Sequence, residues 1–239
     1  LDLNHIYALP SANHPLGTAD NGVDILAVLL HGTRLAAQIG VSVVGCSVLV
    51  GATLGAIAGL WGGAVDQTVC AVADVVQAFP AVLLNIAILA LVESPGIIHV
   101  VIALSANGWV LFARLARAET LVLREREFVA AAQVLGASRW HLLRQHIVPN
   151  LLGPIVVQAS AAFGGVVLME ATLSFLGLGP GRASSWGALL DQGSSVLLRF
   201  PHVALFSGSV IALTVLAFNL SGDGLRDWLD PTQRRSRAA

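Results

Sequence analysis

Five long apolar stretches, almost free of charge, limit what this chain can fold into more than any other feature. Leu35 to Leu60, Ile97 to Ala113, Asn150 to Met169 and His202 to Gly222 contain no Asp, Glu, Lys or Arg, and Cys70 to Val92 contains only Asp74. A helix needs about 20 mostly apolar residues to cross a ~30 Å hydrocarbon core, and these runs are of that order. The rest of the chain supports the same reading. Charged residues make up 11% of the 239, hydrophobic residues 56%, and the mean hydropathy is +0.78. A soluble domain carries about a quarter charged residues, so this chain lacks the polar surface to face water all round. No run shows the alternation of a barrel strand. The expected fold class is all-α, a polytopic transmembrane helical bundle of five spans. Residues 1–34 would lie outside the cell, 35–222 would form the membrane domain with a cytoplasmic loop at 114–149, and 223–239 would form a cytoplasmic tail.

Orientation follows from the arginines, since the chain has no lysine. Five spans divide the connections into two sets. One set carries Arg114, Arg117, Arg124, Arg126, Arg139, Arg144, Arg226, Arg234, Arg235 and Arg237; the other carries Arg34, Arg182 and Arg199. The positive-inside rule puts the first set in the cytoplasm and Leu1 outside. Leu1 opens a polar stretch with no basic start and no apolar core of a signal peptide. A further helix upstream of Leu1 is therefore expected.

The loop between the third and fourth runs is the most informative segment. Leu123 to Asn150 reads LREREFVAAAQVLGASRWHLLRQHIVPN. Phe128, Ala132 and Leu135 share one helical face, and Arg and Glu take the other. Gly136 can end that helix in a left-handed cap. Ser138 can cap a second short helix through Leu143, with Arg144 near its negative end. Pro149 closes the unit before the next span. A helix-turn-helix of this kind on the membrane surface suits a groove in a soluble partner.

This loop resembles the coupling loop of binding-protein-dependent ABC importers, whose pattern is Glu-Ala-Ala, three residues, Gly, then a Pro. Ala131, Ala132, Gly136 and Pro149 match it, with the Gly-to-Pro spacing kept, while Ala130 stands where the motif has Glu. In the family that Glu helps hold the loop against the ATPase subunit. The segment EATLSFLGLG from Glu170 to Gly179, followed by Ser185-Trp186-Gly187, is similar to a signature of the C-type permease subunits of dipeptide and oligopeptide importers. Asp74 with Ala78-Phe79-Pro80, Gly108-Trp109, Ala113-Arg114-Leu115 and Arg124 to Glu127 resemble the same subfamily in the same order. So does the segment from Leu16 to Asp24, with Ala19 and Val23 in place of the usual acidic residue and Arg.

The resemblance implies a mechanism. A second, homologous permease would pair with this chain to enclose the path. Two cytoplasmic ATPase subunits would each grip one coupling loop, and an extracytoplasmic solute-binding protein would deliver a peptide. Ala130, Ala131, Ala132, Gly136, Ala137, Ser138, Arg139 and Pro149 would contact the ATPase. ATP and Mg would bind the partner subunits, leaving no cofactor in this chain and no nucleic acid among its partners. A phosphate-binding P-loop needs a lysine that is absent here, and no nucleophile motif is present. The chain is therefore expected not to be an enzyme. Nickel or another small solute is the alternative cargo within the family. A self-contained secondary transporter is the alternative from another class, and it lacks the internal repeat and mid-membrane charges such proteins carry.

Other residues read first as architecture. Gly51, Gly55 and Gly59 recur every fourth residue and would let helix backbones approach closely in lipid, with lining of the path as the sharper alternative. Ser185 to Leu198 would form an amphipathic helix on the outer surface, with Trp186 as its interface anchor. Glu170 falls about 20 residues, or ~30 Å, beyond Asn150 and so near the outer boundary. There, with Phe175 and Trp186, it would form an outer mouth or gate, accepting hydrogen bonds from the following turn or pairing with Arg182 or Arg199. Cys46 and Cys70 read as buried free thiols, and the seven scattered histidines give no metal set.

Overall fold

The computed structural model describes residues 6–180 and 185–229. Among these residues the regular structure is helical, apart from one isolated antiparallel bridge between Thr18 and Asp24. In chain order the helices are α1 (Ile25–Trp61), α2 (Gly63–Gln77), α3 (Ala81–Ala90), α4 (Ile97–Leu123), α5 (Glu127–Val134), α6 (Arg139–Leu142), α7 (Val148–Phe175), α8 (Trp186–Ser195) and α9 (Pro201–Leu229). A π-helical turn, Leu143–Ile147, joins α6 to α7. Four helical stretches are long and apolar enough to cross a membrane, and the bent pair α2 and α3 makes a fifth if counted as one span.

The helices have different limits from the apolar runs read in the sequence; α4 continues ten residues past Ala113 to Leu123, so the loop expected from residue 114 opens only there. α1 begins at Ile25, ahead of the uncharged run that opens at Leu35, because a cap and not hydrophobicity starts it. Asp24 Oδ1 accepts the Leu26 N–H at 2.8 Å, and Oδ2 pairs with His14 Nδ1 at 3.0 Å. Burial pushes the Asp24 carboxyl up, but its bonds to His14, Ala27 and Leu26 outweigh this and hold it below the usual carboxylate range. The run from Cys70 to Val92 is not one straight span. α2 already starts at Gly63, and the chain turns by 81° between α2 and α3. Pro80, which has no N–H to give and a ring that obstructs the preceding turn, sits at that break, and α3 starts just after it.

The chain forms two compact units. One comprises Leu1–Ser42, Val82–Leu104 and Phe163–Phe218. Its core joins Ile25, Leu29 and Ala36 of α1 to Val167 and Ala171 of α7, Leu189 of α8, and Val203 and Ile211 of α9. Trp186 belongs to this core at 4% exposure, and its indole N–H donates to the Leu29 carbonyl at 2.9 Å. It is not an interface anchor. α8 packs so closely that a Cβ at Gly187 would overlap the Ala171 carbonyl. Arg182 lies outside the described residues, as do Arg234, Arg235 and Arg237.

The other unit comprises Val43–Ala81, Ser105–Ala162 and Asn219–Ala239. Here α1 lies against α4 along its glycines. A Cβ added at Gly51 would overlap the Trp109 carbonyl oxygen, and one at Gly55 the Ala113 carbonyl oxygen; one at Gly59 would come 2.8 Å from Thr120 Cβ. In lipid such close approach replaces hydrophobic burial as the source of helix association. The core then continues through Ala56, Leu60 and Ala116 to Val129, Leu142, Ile147, Leu151 and Ile155. Both cysteines are free, but Cys46 is exposed and Cys70 only partly buried.

Candidate functional site

The loop from α4 to α7 is built on one left-handed residue. Gly136 has φ +85°. Its N–H donates to the Gln133 carbonyl at 2.9 Å, and the Ala137 N–H donates to the Ala132 carbonyl at 3.0 Å. These two bonds are the Schellman arrangement that closes a helix C-terminus on glycine. Ser138 then starts the next helix, its Oγ accepting the His141 N–H at 3.3 Å.

The second short helix does not end before the membrane segment. α6 passes through the π turn directly into α7, and Pro149 sits in the first turn of α7 instead of closing the loop. The physical reason is proline's missing N–H. A wider turn before it, with the Val148 N–H reaching back to the Leu143 carbonyl, lets the backbone continue where a regular α-turn would leave a gap. The side-chain amide of Asn150 donates to the His146 carbonyl at 2.6 Å, supplying another bond there.

The two short helices enclose an open groove of about 780 Å³. Ala131, Ala132, Gly136, Ala137 and Ser138 line it, with Phe128, Leu135, His141 and His146 among the remaining walls. The buried residue of α5 is Val129, whereas Phe128, Val134 and Leu135 are 45%, 88% and 87% exposed. The face read from the sequence is thus split: Phe128 and Leu135 turn outward, while Ala132 is partly buried and packs with Val129 against the core. Ala130, Arg139 and Arg144 are exposed as well. The groove is anchored to α1 by Arg124, whose Nη1 donates to the Gly59 carbonyl at 3.2 Å, and by Trp140, whose ring meets Trp61 edge-on at 4.9 Å. A small-residue floor between the apolar Phe128 and Leu135 and the polar His141 and His146 can take an inserted helix or ridge from another protein.

At the far end of α7, Glu170 is 2% exposed and its Oε1 accepts the Ser174 hydroxyl at 2.7 Å. Phe175 is partly buried and ends the helix, and Gly177 at φ +79° closes it with the same pair of bonds that closes α5. Arg199 lies over the Phe200 ring, 5.3 Å from its centroid. Glu170→Ala, which strands the Ser174 hydroxyl in a buried site, should lower the yield of folded chain. Glu170→Gln keeps an acceptor and should be milder. Comparing detergent-extracted yields of the two variants checks this, and equal tolerance of both would contradict it.

Two ion pairs between α2 and α4 are not apparent from the sequence. Asp66 takes both Arg117 Nε and Nη2, the latter at 2.6 Å, and Arg114 Nη2 donates to Asp74 Oδ1 at 2.7 Å. Their signal is opposite charges in or just beside two apolar runs, but pairs 51 and 40 residues apart cannot be matched by local pattern.

Known proteins share both the sequence and the fold. Residues 51–235 match the model of the family described as binding-protein-dependent transport system inner membrane component. The chain is 42% identical to the glutathione transport system permease protein of Pectobacterium atrosepticum over 96% of its own length and 76% of the relative's. It is 41% identical to the dipeptide transport system permease protein of Alkalihalophilus pseudofirmus, over 94% and 74%. It is 38% identical to the oligopeptide transport system permease protein of Bacillus subtilis, over 95% and 74%. Among solved structures, a chain of the MetNI methionine ABC transporter in an inward-facing conformation superposes with TM-score 0.70 at 16% identity. That match covers 86% of this chain and 97% of that one, and shows a shared fold. The chain therefore belongs to the binding-protein-dependent transport system inner membrane components, as a permease subunit of an ABC importer.

Proposed function

We propose that this permease forms half of a translocation path for short peptides and is driven by two ATPase subunits, each seated in one coupling groove. The observation that carries the reading is the α5–α6 groove, exposed and floored by small residues yet fixed by the left-handed Gly136 and the Ser138 cap. A second, homologous permease supplies the other half of the path, and a solute-binding protein delivers the cargo. The relatives' named cargoes, glutathione, dipeptides and oligopeptides, share a short peptide backbone, which supports peptides as the class. The groove and the end of α9 face the cytoplasm, in keeping with the arginines clustered there. ATP and Mg bind the partner subunits, and closure of those subunits shifts the permease pair between two arrangements through the rigid loop.

Assembly tests this directly. The chain should co-purify with a second permease and the ATPase subunits, and ATP hydrolysis should follow the latter. Turnover of ATP by the isolated chain in detergent would contradict the assignment.

A further inference from the structure

We propose that the Asp74–Arg114 pair faces a water-filled part of the path and exchanges partners with the two charged ends of a passing zwitterionic peptide. This rests on the peptide reading above for its ligand, but on geometry alone for its placement.

The placement follows from position and exposure together. α3 has ten residues and so spans about 15 Å, half of the ~30 Å hydrocarbon core. α3 is thus too short to cross alone and counts as a span only with α2; Asp74 lies in that bent pair, and Arg114 lies in α4, another candidate span. Arg114 is bonded to Asp74 at 2.7 Å. Yet the two side chains are 69% and 54% exposed. Charges within a membrane-spanning helix face water or protein and not lipid, because hydrocarbon solvates neither. A cavity of about 340 Å³ lies beside them, lined by Val69, Cys70, Ala73 and Ala113 as well as by the pair and Arg117.

The neighbouring pair shows what a purely structural bridge looks like here. Asp66 takes Arg117 through two bonds, and those side chains are only 19% and 33% exposed. Asp74 and Arg114 share a single bond, which leaves the second carboxylate oxygen and the other edge of the guanidinium open among the described residues. A guanidinium accepts a carboxylate through two parallel bonds, and a carboxylate accepts an ammonium. A peptide with free ends offers both groups. Exchanging one internal pair for two external ones keeps every charge matched, so the peptide can enter the site and leave it without stranding an ion.

The test uses the assembled complex in proteoliposomes, with Cys46→Ser so that Cys70 is the one thiol left in residues 1–239. A charged, water-soluble methanethiosulfonate should modify Cys70, and millimolar tri-alanine should slow the reaction at least fivefold. Uptake of tri-alanine should fall at least tenfold in Arg114→Gln, while uptake of its C-terminal amide changes less than twofold. In Asp74→Asn the mirror result is expected, with N-acetyl-tri-alanine as the spared peptide. Comparing each variant with the unaltered complex on the same peptide cancels the binding protein's own preference. An unreactive Cys70 would overturn the placement, since the pair would then be covered by protein or lipid. Equal losses for free and blocked peptides, or normal tri-alanine uptake by Arg114→Gln, would overturn the role in binding. Failure of the unaltered complex to carry tri-alanine would instead overturn the peptide reading, and Cys70 labelling would still decide whether the pair faces water.

Discussion

Replacing Gly136 by Val should abolish uptake while leaving the chain in the membrane. Gly136 stands at φ +85°, and a Cβ there would meet nothing within 4 Å, so the cost comes from the backbone and not from crowding. A β-branched residue in that conformation costs about 1–2 kcal/mol or more, and the chain can relieve it only by undoing the turn. Undoing it breaks the bonds from Gly136 to Gln133 and from Ala137 to Ala132, and the two walls of the groove then lose their fixed angle. The spans are untouched, so insertion should be normal. Asparagine tolerates the left-handed region and has open space here, so Gly136→Asn should keep at least half of the uptake. Uptake assays on the two variants, with the amount of chain in the membrane measured in parallel, separate a conformational requirement from simple intolerance of change. Normal uptake by Gly136→Val would mean that the turn does not matter.

A second large effect is expected at Gly55. Valine there would drive its Cβ into the Ala113 carbonyl, and neither backbone can move aside without parting α1 from α4. Overpacking of this kind costs about 1–3 kcal/mol even where flexible side chains can yield, and here the obstacle is main chain. Gly55→Val should therefore reduce detergent-stable chain at least tenfold and abolish recovery of the complex. At Gly45, earlier on the same helix, an added Cβ would meet nothing within 4 Å, so Gly45→Val should be tolerated. Size-exclusion profiles of the two variants measure the difference. Similar profiles would show that the glycine face does not set the helix contact.

What could be read from the sequence depended on how local the cause was. The Gly136 stop and the Ser138 cap act within one turn and are visible as residue types in order. The existence of the spans follows from run length alone. The start of α1 did not follow, because its cap depends on Asp24 meeting His14 and on main chain that no hydropathy window weighs. Periodicity placed Phe128, Ala132 and Leu135 together but could not say whether that face turns inward; the structure buries Val129 and leaves Phe128 and Leu135 outside. Trp186 pointed to the membrane surface by its type, and only the Leu29 carbonyl, 157 residues away, explains its burial. Pro80 and Pro149 were both visible, with opposite outcomes. One marks a sharp bend, while the π turn before the other lets the helix continue.

The central claim is that ATP closure on this permease drives inward transport, and uptake into proteoliposomes tests it most directly. The complex of this chain, its second permease and the ATPase subunits would be supplied with binding protein outside and ATP with Mg inside. Radiolabelled tri-alanine should accumulate against its gradient only when both are present, and not in the Gly136→Val complex. Accumulation that persists without ATP, or by this chain and its partner permease without the ATPase subunits, would contradict the account.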